Sequence, residues 1–463
     1  MAETVLVRFA GDGSGTEELT WAQRNVWKMM QMMGTSRMVG GTMPLEEGTT
    51  VEHIVHLLSF MMSRHQSLRT KIKVDSEGNP VQVLYESGEV GLEIHDVSDG
   101  EDAAAYAESV RERFETTPFD IEHDWPVRMA VIRRHATPVY FAAMYPHMAI
   151  DAYGFAALAG DLANLDRETG EHLSPRGGVQ PLELARQQRT AAARRQSDLS
   201  IRYWEQLLRR IPSRRFNESA DRREPRWWIA NYDSPAAYQA LRVLADRLRL
   251  HSGPILMAAY AVAMARLTGI SPSVLRTLVS NRFRPGFAES VSILAQPGLC
   301  VVAVDGLPFG EIARAAFRGQ LAAGKHGYYD PRDLWALLDR VNAERGVEVD
   351  LLCYFNDRRR ALAAMPPGPL PTIADITEAL PLSRWRWGLR TNTPDVKAYL
   401  NVNAVPDTLN CDLRVDTHAL SPMETLAVLR DIEATLIAAV VDPDRVIKVS
   451  NVEQRARCVI ASR

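Results

Sequence analysis

The sequence predicts an α/β protein of two domains, on three observations. Stretches with apolar residues at helical spacing alternate along the chain with short stretches of period two, the mixture that packs helices on sheets. The 463 residues exceed what one hydrophobic core organises, so the chain divides. A change of character over residues 166–196, with Pro175, Gly177, Gly178 and Pro181 followed by a basic polar stretch, marks a crossover. The expected division is 1–180 and 181–463.

The first helix follows Thr20, which with Gln23 has capping-box spacing, and Trp21, Val26, Trp27 and Met30 form its apolar stripe. A second starts near Thr49, with Glu52 three residues on, and carries Val51, Ile54, Val55, Leu58 and Met62 inward. Strands follow where Val81, Val83 and Tyr85, then Leu92 and Ile94, then Val127, Met129 and Val131 alternate, the last before a turn over residues 135–138. Val139 to Tyr145 is apolar nearly throughout, as in a strand covered on both faces. Pro146 to Gly154 ends it, and Phe155, Leu158 and Leu162 open another helix.

The second half repeats the mixture. Helices are expected around Tyr203 and Trp204, from Pro235 to Leu250 and from Pro254 to Leu267, and strands at Leu275–Ser280, Val347–Phe355 and Ala398–Val405. The last pairs with Cys411–Val415 across a turn. Ser421, Pro422 and Glu424 make a strong start for the final helix. No solenoid period appears.

Composition narrows the function. With 54 basic and 57 acidic residues the net charge is −3, which does not serve bulk attraction to nucleic acid or to an anionic membrane. The apolar run from Gly253 to Ala265 is too short to span a bilayer, which takes about 20 residues, and Met1 to Arg8 does not read as a secretory signal. A cytoplasmic protein is expected. Cys300, Cys353, Cys411 and Cys458 are far apart and read as isolated thiols. His53 and His56 sit three apart on one helix, more simply an ordinary helix face than a metal pair, so no metal is assigned.

Gly11-Asp12-Gly13-Ser14-Gly15 follows a strand-like run, but it lacks the dinucleotide fingerprint and the Gly-Lys-Ser/Thr of a phosphate loop. Asp12, Glu17 and Glu18 would repel a phosphate, so a turn is the reading. No Gly-x-Ser-x-Gly elbow occurs. Residues 146–154 differ: His147 and Asp151 lie four apart just past the end of a buried strand. An imidazole there can take a proton from an attacking amine or hydroxyl. The simpler alternative is that His147 satisfies a backbone group and Asp151 caps the next helix.

Leu19-Thr20-x-Ala22-Gln23, Arg64-His65-Gln66-Ser67-Leu68-Arg69-Thr70, Thr117-Pro118-Phe119-Asp120 with Pro126-Val127-Arg128, His147-x-x-x-Asp151 and Asn281-Arg282-x-Arg284-Pro285 occur in that order. Together they resemble the condensation domains of nonribosomal peptide synthetases, and the likeness runs over nearly the whole chain. The resemblance implies two chloramphenicol acetyltransferase-like lobes, each a mixed sheet with helices, in a V-shaped pseudo-dimer around a tunnel. It implies amide formation, with ester formation second, between a thioester on the phosphopantetheine arm of a carrier protein and an amine or hydroxyl acceptor, with no cofactor or metal of the enzyme's own. His147 takes the place of the catalytic histidine; Asp151 that of a structural carboxylate, with Arg282 as preferred partner and Arg128 second. Pro146, Ala152, Tyr153 and Gly154 become candidates for the tunnel lining.

The first histidine of the family's motif is Pro146 here and its glycine is Ala152. The family's Phe-Val-Asn strand and His-Gln-Asp-x-Pro-Phe stretch are poorly matched by residues 292–302 and 326–330. No carrier or adenylation segment is present, so a free-standing, monomeric enzyme is expected, meeting its carrier in trans through Arg194, Arg195, Arg209 and Arg210. Two other readings stay open: an acyltransferase using coenzyme A thioesters, and a degenerate module that recruits a partner.

Overall fold

The computed structural model describes residues 3–359 and 368–449. The chain forms two compact units: Met1–Gln196 with Ser280–Gln296, and Ser197–Val279 with Pro297–Arg463. This differs from the expected break at residue 180. The boundary falls inside the helix over Ala191–Leu208, after Gln196, and a short later segment returns to the first unit, which no local composition change announces.

The first unit runs β1 (Glu3–Ala10), β2 (Gly15–Glu18), α1 (Trp21–Met33), β3 (Met38–Pro44), α2 (Val51–Arg64), β4 (Thr70–Val74), β5 (Pro80–Leu84), β6 (Ser87–Asp96), α3 (Ala103–Thr116), β7 (Arg128–Arg134), β8 (Thr137–Pro146), α4 (Ala152–Asp161) and α5 (Pro181–Gln188). Its main sheet has the order β1-β6-β7-β8-β3, with β6 and β7 parallel and the other neighbours antiparallel; a smaller sheet is β2-β5-β4. Ala143 and Tyr145 of β8 join a core with residues of α2 and α4, while Ala142 and Met144 join Val110 and Phe114 of α3 on the other face. Two covered faces explain why β8 reads as unbroken apolar sequence. A two-residue turn, His135 and Ala136 both left-handed, joins β7 to β8.

Thr20 and Gln23 form the expected capping box of α1. At α2 the cap is Thr50, one residue later than expected, and His53 closes the box where glutamate usually does. His53 is thereby occupied on one ring nitrogen and faces Glu168 with the other, while His56 bonds the Arg167 carbonyl. No cluster of potential metal ligands occurs among the described residues.

The second unit contains most of α6 (Ala191–Leu208), then β9 (Trp227–Ser234), α7 (Pro235–Leu248), α8 (Ser252–Thr268), β10 (Ser273–Val279), β11 (Gln296–Val302), β12 (Leu307–Pro308), α9 (Phe309–Lys325), α10 (Pro331–Arg345), β13 (Cys353–Asp357), α11 (Ile373–Ala379), β14 (Arg384–Thr391), β15 (Ala398–Asn403), β16 (Leu409–Asp416), α12 (Pro422–Val441) and β17 (Val446–Ile447). Its seven-stranded sheet has the order β11-β10-β13-β15-β16-β9-β14. Phe355, Leu400, Val402, Leu413, Val415, Ala230 and Tyr232 pack with α7, α8, α9 and α12 into the largest core.

The strand expected over Val347–Phe355 is only β13, because Val349 and Leu351 are instead used in a second core with α6 and α10. Ser421 and Glu424 cap α12 as expected. Cys300, Cys353 and Cys411 are buried free thiols; Cys458 lies outside the described residues. Among the described residues no helix is long and apolar enough to cross a membrane.

Candidate active site

The loop between β8 and α4 is built almost wholly from backbone hydrogen bonds. Pro146 ends β8 opposite Met38 of β3, and its fixed φ costs no ladder donor at a strand terminus. The His147 amide donates to the Arg37 carbonyl (2.7 Å) and the Ala149 amide to the Pro146 carbonyl (2.8 Å). His147 is half-buried. Its Nδ1 lies 2.9 Å from the Ile150 carbonyl oxygen, an acceptor only, so the proton sits on Nδ1 and Nε2 carries the lone pair. Nε2 bonds no described residue. Burial lowers the pKa of His147, the Arg37 charge adds to this, and the Ile150 bond and Asp151 oppose it. The ring is therefore neutral near pH 7, with its basic nitrogen bonded to no described residue.

Asp151, 3% exposed, uses both carboxylate oxygens. One accepts from the Gly154 amide (2.7 Å), capping α4, and from Arg282 Nη2 (2.8 Å); the other accepts from the amides of Leu294 (2.9 Å) and Ala295 (3.0 Å). A carboxylate this deep is stabilised by a cation and by amide donors together. Arg282 also donates to the carbonyls of Phe287 (3.1 Å), Ser290 (2.6 Å) and Ser292 (2.9 Å). The carbonyl bonds fold residues 280–296 on themselves, and the Asp151 bonds tie that segment to the rest of the first unit. Ser67, from the Arg64–Thr70 motif, adds a hydroxyl bond to the Val291 carbonyl (2.6 Å).

Of the two arginines considered for Asp151, Arg282 is the one beside it. Arg128 donates instead to the carbonyls of Phe114 (2.9 Å), Thr117 (2.7 Å) and Pro118 (2.7 Å), and lies over the Phe119 ring. It ties down the Thr117–Asp120 turn. Among the tunnel candidates, Ala152 and Tyr153 are exposed in the first turn of α4, whereas Pro146 and Gly154 are buried. A Cβ on Gly154 would fall 2.7 Å from Ile150 Cγ1, 2.9 Å from the Ser292 carbonyl oxygen and 3.3 Å from Arg282 Nη2. Gly154 is small because the ion pair is close, a role the local sequence does not announce.

The glycine loop at residues 11–15 has the opposite polarity to a phosphate cradle. The buried Arg69 guanidinium donates to the carbonyls of Asp12, Gly13 (3.0 Å) and Tyr85 (2.6 Å). Gly11 is required because a Cβ there would lie 1.8 Å from the Ser63 carbonyl oxygen. At the far end of α4, Arg64 grips Asp161 through Nε (2.6 Å) and Nη2 (2.9 Å), and His65 Nε2 lies 3.0 Å from the same carboxylate. Burial works to raise the Asp161 pKa, but His65 and Arg64 hold it well below the usual carboxylate range. Sequence reasoning from the motif around Arg64 gave no partner for it, since Asp161 is remote and unremarkable in its own neighbourhood.

The Condensation domain family matches residues 14–336, more than half of the chain. The chain belongs to that family. Among curated relatives of this condensation domain, the nonribosomal peptide synthetase kk1B of Curvularia clavata is 24% identical over 292 residues, 59% of this chain and 2% of that protein. The chain thus spans a small fraction of the curated relatives it matches. Among solved structures, the SgcC5 protein from Streptomyces globisporus superposes with a TM-score of 0.71 at 18% identity, covering 93% of this chain and 100% of that one. The X-domain from teicoplanin biosynthesis gives 0.72 at 16% identity over 96% and 99%, and has also been solved in complex with OxyB. The shared fold is the mixed α/β condensation-domain architecture expected from the sequence. Of the expected docking arginines, Arg209 is already paired with Glu205 (2.8 Å) and Glu344 (2.5 Å).

Proposed function

We propose that this condensation domain catalyses amide formation between an acyl or aminoacyl thioester, carried on the phosphopantetheine arm of a separate carrier protein, and an amine acceptor. The single observation that supports it is the state of His147: neutral, oriented through Nδ1, and with Nε2 bonded to no described residue. Nε2 accepts a proton from the acceptor nitrogen as that nitrogen attacks the thioester carbonyl, and the imidazolium then lies beside the tetrahedral oxyanion. The C–N bond forms, the C–S bond breaks, and the carrier thiol leaves with a proton. Asp151 and Arg282 act as positioning residues by holding the loop and the 280–296 segment. The thioester is already activated, so the scheme calls for no cofactor or metal of the chain's own. A hydroxyl acceptor would give an ester by the same path.

The test supplies the acyl group on a carrier protein in one arm and on coenzyme A in the other, with the acceptor amine and either wild-type chain or His147→Ala. Carrier-dependent amide that disappears in His147→Ala is expected; equal turnover by the variant would remove His147 as the base. Charge reversal at Arg194, Arg195, Arg209 and Arg210 is expected to slow the carrier arm only, the salt-sensitive one.

One observation favours a second reading. Pro146 stands where the family's first motif histidine would be, so the loop holds one imidazole, as a module that only recruits a partner would tolerate. That reading requires carrier binding with no amide from the wild-type chain.

A further inference from the structure

Among the described residues β14 is the last strand of the seven-stranded sheet and pairs with β9 alone, so its outer edge carries a row of backbone N–H and C=O groups that no described strand pairs. Its sequence is Arg384-Trp385-Arg386-Trp387-Gly388-Leu389-Arg390-Thr391, and all but Trp387 and Thr391 are exposed. The register on β9 sorts the side chains. Trp385 and Trp387 lie opposite Tyr232 and Ala230 on the helix-covered face, while Arg384 and Arg386 lie opposite Asp233 and Asn231 on the other. Neither arginine forms an ion pair with a described residue. Asp233, the neighbouring carboxylate, accepts from Asn410 instead (2.6 Å). After an irregularity between Trp387 and Arg390, Arg390 stacks on Trp228, 3.9 Å from the ring centroid. Trp385 is 41% exposed, Leu389 66% and the preceding Leu382 55%.

An edge protected only against aggregation carries charge in place of exposed apolar surface. This edge carries both, and its charge is of one sign. A second copy of β14 would set arginines against arginines. The chain's own residues 450–463 hold Arg455, Arg457 and Arg463 against the single acid Glu453, and so have the same sign. Both of these occupants are disfavoured by charge. We propose that the outer edge of β14 receives an extended acidic segment of another protein as an added strand. Its carboxylates meet Arg384 and Arg386 on one face, and its apolar residues meet Trp385 on the other. Backbone pairing supplies affinity and the alternation supplies selectivity.

The test uses the full chain and three labelled peptides of about ten residues: Glu and Val in alternation, the same residues in two blocks, and Lys and Val in alternation. The alternating acidic peptide is expected to bind at least about tenfold more tightly than the other two, and to slow amide exchange in β14. Arg384→Glu with Arg386→Glu is expected to cost at least about tenfold in that affinity at an unchanged melting temperature. The proposal fails if no peptide binds, if the blocked peptide binds equally well, if the double variant retains full affinity, or if single-stranded DNA of equal charge displaces the peptide stoichiometrically.

Discussion

Helix α4 begins and ends on an aspartate, and each aspartate meets an arginine, yet the two ends do different things. Asp151 at the N-terminus caps the helix, lies with the dipole, and binds Arg282 and two distant amides. Asp161 at the C-terminus lies against the dipole and is held by Arg64 and His65 together. The two imidazoles differ in exposure and neighbour: His65 is 1% exposed with Nε2 against the Asp161 carboxylate and Nδ1 buried without a hydrogen-bond partner, whereas His147 is half-buried with Nδ1 on the Ile150 carbonyl. The contrast teaches that an unpartnered ring nitrogen is not enough for chemistry: in His65 it is sealed in the interior, while the His147 ring keeps part of its surface exposed. A motif alone does not separate the two cases.

The contrast can be broken most severely at His147. His147→Ala is expected to lower the rate of amide formation by about 10²–10⁴ with unchanged unfolding in denaturant, because a general base contributes on that order. His65→Ala should do the reverse, shifting the unfolding midpoint while the folded fraction keeps its rate per molecule. Next in size, Arg282→Ala is expected to cost about 3–5 kcal/mol of unfolding free energy, since it leaves Asp151 buried beside no cation; Asp161→Asn belongs at the lower end of that range. Denaturant titration checks both, and a change below about 1 kcal/mol in either would show that the pair is solvated.

Gly154→Ala is smaller, about 1–3 kcal/mol, from forcing a methyl against Ile150 and the Ser292 carbonyl. It should also lower activity by displacing the loop. The mildest test is pH. Burial lowers the His147 pKa, and the neutral ring is the base in the proposed scheme, so the acid limb of the rate profile should have its inflection below 6.5. Asp161 gives a separate signature. Its folded pKa is depressed, so its contribution to stability is complete above the unfolded carboxylate value and is lost as pH falls through the folded one. Activity and stability should therefore fall in different pH ranges.

Much of this was legible locally. Capping boxes at Thr20 and Ser421, the doubly covered β8, and the helices α7 and α8 follow from spacing and burial preference alone. Other elements were less legible. β9 depends on its pairing with β14 and β16, β14 on its pairing with β9, and α2's box is closed by a histidine, which carries no cap signal of its own. At the site, His147 and Asp151 stood out because they lie four apart after a strand. The function of Gly154, the capture of Asp161 by Arg64, and the carbonyl cradle around Arg69 did not, since each depends on an atom from a distant part of the chain.

By itself the sequence determined the family, the mixed architecture, and the segment where an imidazole and a carboxylate face the same turn, because those are written in residue spacing. Only the tertiary structure decided which arginine neutralises which aspartate, that residues 280–296 belong with the first unit, and which of two histidines lies against a carboxylate. The physical reason is that a buried charge selects its partner by distance and desolvation, and both are properties of the folded chain.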